Sequence, residues 1–288
     1  MVGIIYSEYE KGKEELLRTA REELMKRNGH LKLMSGGRIV VGCCGFPVSM
    51  KRYVTRFNAV EVQSTFYRVH ERKTLERWRR SVPEDFVFSV KAFQGVTHPP
   101  NSPTWRRSNV RPKPGHGLLR VSREVMESWE LTLEACRALR AEFCVVQTPA
   151  AFNDAPQNVE NALRFFKEIE RDGITVGFEP RGWSEPWIRK VCEEADLVHV
   201  VDPFAGEPVH LSSRRILYLR LHGSPPGKRM YSYTYTDGDL QRLERFLRRF
   251  EFSKAYVMFN NVTMFDDAYR FLKLLQETGW EMDQSMSK

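Results

Sequence analysis

The chain has 288 residues, of which 41% are hydrophobic, and its 45 Lys and Arg against 37 Asp and Glu give a formal net charge of +8. The mean hydropathy is −0.49, and no apolar run approaches the roughly 18 residues of a membrane span, so we expect a soluble, cytoplasmic protein and no membrane partner. The length suits one barrel-sized domain or two smaller ones, and the basic excess favours anionic partners, nucleic acid among them.

The first segment of the chain predicts a helix. Residues 7–27 carry apolar side chains at helical spacing and are followed by Asn28 and Gly29, which favour a helix stop. We interpret residues 1–37 as an N-terminal helical extension and residues 38–288 as a single barrel domain.

From residue 38 onward, apolar strand-like runs alternate with helix-like patterns. The predicted strands are residues 38–42, 59–62, 86–90, 143–147, 174–179, 197–201, 216–221 and 255–259. The predicted helices are residues 49–56, 73–81, 123–140, 158–171, 185–194, 240–250 and 266–276, with no clear helix between the sixth and seventh strands. Because eight hydrophobic strands mostly followed by helices suit a parallel sheet covered on its outer face, the pattern predicts an α/β fold, a TIM-type (β/α)8 barrel.

Polar side chains follow nearly every predicted strand, where a barrel places its chemistry. Period-two alternation puts Glu61 with Gln63 and Arg220 with His222 on common strand faces, so inward-facing groups would converge on one mouth. The alternative for each residue is that it is neutralised within a buried ion-pair network. The loops that follow strands carry seven aromatic residues: Phe46, Phe66, Tyr67, Trp183, Tyr231, Tyr233 and Tyr235.

Nine segments resemble those of one protein family, in the same order. They are VGCCGF, VEVQSTFYR, FVFSVKA, VVQTPAAF, VGFEPRGW, VHVVDPF, YLRLHG, MYSYTY and VMFNN. Over roughly residues 40–275 the chain resembles the YecE-like family, also known as domain of unknown function 72. The resemblance implies a TIM-barrel fold and no established activity. The chain departs from the usual family pattern at residues 44–46, where the family reads closer to S-G-W, and at Gln63, where it has Asn.

Five polar residues at the strand ends are predicted to be catalytic: Glu61, Lys91, Glu179, Asp202 and His222. Carboxylates and an imidazole suit general acid–base catalysis, and Glu179, Asp202 and His222 are also candidate ligands for a divalent metal, our candidate cofactor. Lys91 would instead form a Schiff base if its pKa were lowered.

A second group is predicted to bind the substrate. It comprises Gln63, Ser64, Thr65, Phe66, Tyr67, His98, Gln147, Arg181, Trp183, Arg220, Asn260 and Asn261. Arginine suits phosphate or carboxylate recognition, and aromatic rings stack on sugars or bases. The commoner role of a single loop aromatic is to cap the end of a barrel.

The cysteines and one long loop complete the candidate features. Five cysteines without a C-x-x-C pair predict no disulfide framework or structural zinc. We expect the neighbours Cys43 and Cys44 to be packing residues, with a nucleophile or soft-metal site as the alternative. Residues 101–121 hold five basic residues and no acid, and we favour a lid or a strap over a phosphate backbone above disorder.

The sequence therefore predicts a hydrolase that acts on a phosphorylated or phosphodiester substrate, nucleic acid among them, at the mouth of the barrel. One alternative is an isomerase or lyase of a small sugar-like anion in the same pocket. The other is a nucleic-acid-binding protein without catalytic activity. Nothing in the pattern fixes an oligomeric state.

Overall fold

The computed structural model describes residues 37–223 and 230–280, which form a closed barrel of eight parallel strands in chain order. The strands β1 to β8 are Arg38–Cys44, Ala59–Val62, Val87–Lys91, Phe143–Gln147, Thr175–Glu179, Val198–Val201, Ile216–Leu221 and Lys254–Phe259. β1 pairs with both β2 and β8, which closes the sheet. The described helices α1 to α8 are Met50–Tyr53, Ser64–Tyr67, Arg72–Arg80, Arg123–Leu139, Pro156–Glu168, Glu185–Glu194, Asp237–Leu247 and Met264–Glu277.

The predicted barrel is confirmed, and each predicted strand is present to within two residues. The largest difference is at β1, which continues to Cys44. Two short elements were not predicted: α2 and a 3₁₀ helix, Pro103–Arg107. A single helical turn is too short to produce an apolar periodicity, so the sequence carried no signal for either. The predicted helix at residues 7–27 lies outside the described residues.

The lower half of the barrel interior is filled with apolar side chains that alternate along the strands. Tyr218 stacks between Phe143 and Tyr256, with ring centroids 4.2 and 5.2 Å away. Gly177 makes room for this stack, because a Cβ atom at that position would lie 2.5 Å from the Phe143 ring. The barrel is thus a packed core beneath its mouth, and not a pore.

Outward-facing strand residues form the larger core, between the sheet and the helices. Phe88 and Val146 lie in this layer with Leu133 of α4 and Phe165 of α5, and all four are fully buried. The helices are fixed locally as well, since Thr236 and Asp239 form a capping box at the start of α7. No helix within residues 37–223 and 230–280 is long and apolar enough to cross a membrane.

Candidate functional site at the barrel mouth

A buried arginine lies at the centre of the mouth. Arg220 donates from Nε and Nη2 to the two carboxylate oxygens of Glu61, at 2.9 Å each, and from Nη1 to Glu179 at 2.5 Å. The Tyr218 hydroxyl also donates to Glu61, at 3.0 Å. Burial lowers the pKa of Arg220, but the charges of Glu179 and Glu61 outweigh it and raise that pKa well above its ordinary value.

Glu61 is fully occupied by this network. Its side chain is 0% exposed, and both of its oxygens accept hydrogen bonds from Arg220. The predicted catalytic role of Glu61 therefore finds no geometric support, and the alternative of a buried ion-pair network describes it better. We leave Glu61 out of the catalytic group.

The same network bears on the metal hypothesis. The Arg220 guanidinium bridges the carboxylates of Glu61 and Glu179, so oxygens of both are already engaged by a cation. In the described part of the chain, no group of three or more His, Cys, Asp and Glu side chains is arranged to hold a metal ion. Glu179, Asp202 and His222, the candidate ligands, thus do not fit a divalent metal.

The pKa of Glu179 is lowered by the charges around it. Burial raises the pKa of its carboxyl, but the positive charges beside it, that of Arg220 above all, outweigh burial and lower the pKa to about 2. A carboxyl whose pKa falls despite burial lies in a positive potential. These neighbouring cations therefore keep the Glu179 carboxyl ionised.

A histidine and an aspartate form a pair beside Glu179. Nδ1 of His222 lies 3.2 Å from Oδ2 of Asp202, and the His222 backbone N–H donates to the same oxygen at 2.9 Å. Nε2 of His222 is buried without a hydrogen-bond partner among the described residues, and it lies 3.9 Å from Oε1 of Glu179. An imidazole held through one nitrogen, with the other free, is the arrangement that general acid–base catalysis requires.

Lys91, the last residue of β3, supplies a buried amine. Its Nζ donates to Oε1 of Gln147 at 2.6 Å and lies 4.2 Å from the centroid of the Phe66 ring. Burial, aided by the charge of Arg220, lowers the pKa of Lys91 from 10.5 to about 7. The side chain is therefore only partly protonated at neutral pH.

Partly exposed side chains form the rim of the mouth. Gln63 donates from Nε2 to Oδ1 of Asn260 at 3.1 Å, which links the ends of β2 and β8. Arg181 lies 3.5 Å from Glu179 and 3.4 Å from the Tyr231 hydroxyl, and its side chain is 32% exposed. Arg181 is thus the cation of this site that a ligand reaches first.

Tyr231, one of the aromatic residues in the loops that follow strands, belongs to the rim, although it is not in the predicted substrate-binding group. It is 42% exposed, and its ring meets that of His222 edge-on at 5.6 Å. The segment MYSYTY was the available signal, but its other tyrosines differ: Tyr235 is buried, and Tyr233 donates to Asp239. Spacing in a loop does not show which ring faces the mouth.

Three predicted binding residues have side-chain hydrogen-bond donors that are engaged inside the protein. Thr65 Oγ1 lies 2.7 and 2.8 Å from the carbonyl oxygens of Val62 and Lys91. Trp183 Nε1 donates to the Phe152 carbonyl at 2.6 Å, and Asn261 Nδ2 donates to Asp267 at 2.7 Å. These contacts hold the loops in place, so we leave Thr65, Trp183 and Asn261 out of the binding site.

The remaining predicted residues lie between β2 and the loop that follows β3. Ser64 Oγ is 2.9 Å from His70 Nε2, and the Phe66 and Tyr67 rings meet edge-on at 4.8 Å. His98 packs on Phe66, and its burial lowers the pKa of the imidazole to about 3, so this ring is neutral. Phe66 and His98 thus form the apolar wall beside Lys91.

The two neighbouring cysteines are both buried. Cys43 faces the helices and lies 3.3 Å from the Met264 carbonyl, whereas Cys44 faces the barrel interior. Burial raises the pKa of Cys43 to about 12 and raises that of Cys44 as well. These thiols are therefore protonated, which agrees with a packing role.

Sequence comparison supports the resemblance drawn from the motifs. The family model described as protein of unknown function DUF72 matches residues 47–287. The UPF0759 protein YunF of Bacillus subtilis strain 168 is 22% identical in an alignment of 246 positions, which covers 74% of this chain and 80% of that protein.

Solved structures show the same barrel. A DUF72 family protein from Thermotoga maritima is 23% identical, with a TM-score of 0.61 over 83% of this chain and 100% of that chain. One from Enterococcus faecalis is 18% identical, with a TM-score of 0.63 over 86% of this chain and 100% of that chain.

Two more distant structures share the fold alone. Endonuclease IV from Thermus thermophilus is 13% identical, with a TM-score of 0.50 over 84% of this chain and 99% of that chain. A D-tagatose 3-epimerase-like protein is 16% identical, with a TM-score of 0.52 over 84% of this chain and 97% of that chain.

Proposed function

This chain belongs to the DUF72 family of proteins of unknown function, and we propose that it hydrolyses phosphate esters, phosphodiesters included, at the mouth of its barrel with His222 as the acid–base group. Distant relatives of this fold are named as an endonuclease and as an epimerase-like protein, so the fold does not choose the reaction. The choice rests on the site.

The pair of His222 and Asp202 is the observation that carries the proposal. With Nδ1–H directed at the Asp202 carboxylate 3.2 Å away, the lone pair of Nε2 remains free to accept a proton. Nε2 takes a proton from a water molecule as the water oxygen bonds to phosphorus. The bond from phosphorus to the leaving oxygen then breaks, and the imidazolium returns the proton to that oxygen.

The cations of the mouth bind the phosphoryl group. Arg181 is partly exposed and offers guanidinium donors at the rim, and Lys91 lies on the floor with no carboxylate paired to it among the described residues. A phosphate beside Lys91 favours the charged amine, so substrate binding itself protonates this residue. Arg220 has a different role, because it is fully engaged with Glu61 and Glu179.

The test compares two histidine variants on chromogenic esters. His222→Gln is expected to lower kcat for p-nitrophenyl phosphate or its bis ester on the order of 10²- to 10⁴-fold. The matched control is His210→Gln, since His210 bonds through its backbone to His199 of β6 and lies outside the mouth. Because Glu179, Asp202 and His222 are not arranged to hold a divalent metal, turnover is expected to persist in EDTA. Equal turnover by both variants would contradict the role of His222 as the acid–base group.

A second function is favoured by one specific observation, the lowered pKa of Lys91. An amine with a pKa of about 7 is partly neutral at physiological pH, and it can attack a carbonyl carbon. The nitrogen–carbon bond forms, the carbonyl oxygen leaves as water, and an imine results. This chemistry suits an isomerase or lyase of a small sugar-like anion.

Borohydride trapping separates this second function from hydrolysis. Reduction of an imine with a phosphorylated ketose would attach the sugar covalently to Lys91, and mass spectrometry of the wild-type protein and of Lys91→Met detects the adduct. A labelled Lys91 peptide would favour the lyase or isomerase. An unlabelled protein with intact ester hydrolysis would favour the phosphatase.

A further inference from the structure

The loop between β3 and α4 carries cations that form no ion pair within the described part of the chain. In residues 103–113, which we call the basic loop, four exposed side chains are positively charged: Arg106, Arg107, Arg111 and Lys113. None of them forms an ion pair with any described residue. On α5 and α6, by contrast, Arg164, Arg189 and Lys190 each face a glutamate one helical turn away.

The basic loop is held in a fixed conformation. Trp105 is buried, donates from Nε1 to the Pro99 carbonyl at 2.9 Å, and packs against His116 with ring centroids 5.0 Å apart. Asn109 exchanges two hydrogen bonds with the backbone of Val69, at 2.9 and 2.8 Å. The four cations are therefore presented by an ordered loop, so binding does not have to order the loop first.

A continuous series of contacts links the basic loop to the catalytic mouth. The Arg107 guanidinium lies 3.7 Å from the centroid of the Tyr67 ring. Tyr67 meets Phe66 at 4.8 Å, and Phe66 lies 4.2 Å from Nζ of Lys91. The basic loop therefore borders the side of the mouth at which Lys91 lies.

We propose that the basic loop binds the phosphate backbone of single-stranded nucleic acid whose reacting phosphodiester lies in the mouth. This inference rests on the proposed function and names its substrate class. Unpaired cations in a row bind successive phosphates and release counterions. A single strand is specified because His222 and Lys91 are 4% and 6% exposed, so the reacting group must descend into a narrow mouth that a duplex is too wide to enter.

The binding test uses a matched pair of charge-neutralising variants. One replaces the four loop cations by glutamine, and the other makes Arg164→Gln, Lys167→Gln, Arg189→Gln and Lys190→Gln on α5 and α6. Both variants lose the same charge. Binding of a fluorescein-labelled oligothymidylate of about 12 nucleotides is followed by anisotropy at about 50 and 200 mM salt, and thermal unfolding checks that each variant is folded.

The loop variant is expected to bind at least about 10-fold more weakly, with a log–log salt slope reduced by about 3, which corresponds to four lost phosphate contacts. The helix variant should stay within about 3-fold of wild type. Equal weakening by both variants, or full competition by polyglutamate, would overturn the inference. Binding is measured without turnover, so the two proposals fail separately. If His222→Gln loses ester hydrolysis but the loop variant keeps wild-type affinity, the loop inference alone is overturned. If the loop variant loses affinity but His222→Gln keeps ester hydrolysis, the hydrolase proposal alone is overturned.

Discussion

The Arg220 guanidinium donates two hydrogen bonds of 2.9 Å to the Glu61 carboxylate, although the two residues are 159 positions apart in the chain. Arg220 belongs to β7 and Glu61 to β2, strands that are not neighbours in the sheet. The pair therefore crosses the barrel interior and joins two strands that are three positions apart around the barrel, just above the packed aromatic floor. The Arg220–Glu61 pair thus forms the bottom of the mouth.

Removing Arg220 should destabilise the protein strongly. Arg220→Met would leave the carboxylates of Glu61 and Glu179 buried without a cation, at a cost of about 3–5 kcal/mol in the free energy of unfolding. Urea denaturation measures this change. Arg249→Met is the control, because Arg249 and Glu207 are both 55% exposed and such pairs contribute about 1 kcal/mol or less. Similar losses in both variants would contradict the structural role of Arg220.

The strand ends were predictable because side chains alternate strictly along a strand. Glu61, Lys91, Glu179 and Arg220 share the parity that faces the barrel interior, and closure of the sheet brings them together. The partner of each residue was not predictable. Which strand end lies deeper depends on the stagger of the closed sheet, and this stagger selected Arg220 as the partner of Glu61.

Loop residues were harder to predict for a different reason. Trp183 and Tyr231 both follow strands, yet the first is buried against Phe178 and the second stands exposed at the rim. Loops have no fixed side-chain period, so spacing does not encode direction. The lowered pKa of Lys91 was equally hidden, because it arises from burial in a wall that long-range packing creates.

Asp202 should act by positioning His222. Asp202→Asn removes the carboxylate that faces Nδ1, which disfavours the tautomer with a free Nε2, so kcat for the ester should fall about 10²-fold or more while KM changes little. Asp196→Asn is the control, because Asp196 also accepts a backbone N–H bond, from Ser213, but is exposed and lies before β6 rather than after it. A change in KM alone would indicate a binding role for Asp202 instead.

The native thiols should be unreactive. With the pKa of Cys43 raised to about 12, the thiolate fraction at pH 8 is on the order of 10⁻⁴, and all five cysteines are buried. Ellman's reagent should therefore titrate them only after unfolding in guanidinium. Glu277→Cys, which places a thiol at the exposed end of α8, is the positive control. Rapid reaction of Cys43 or Cys44 in the folded protein would reopen the nucleophile hypothesis.

The buried amine of Lys91 should give stability a distinctive pH dependence. The pKa of Lys91 is lowered from its ordinary value of 10.5, which applies to the unfolded chain, to about 7 in the folded protein. Between pH 7 and pH 10.5 the unfolded chain therefore holds one more proton than the folded one. Stability attributable to this residue must then rise with pH across that window, by about 2 kcal/mol from pH 7 to pH 9.

Lys91→Met lacks the titrating group and should lose this rise, whereas Lys167→Met, on the exposed face of α5, should keep it. Unfolding free energies from urea titrations at pH 7, 8 and 9 provide the comparison. Parallel curves for wild type and Lys91→Met would show that Lys91 stays charged in the fold, and imine chemistry at this residue would then lose its basis.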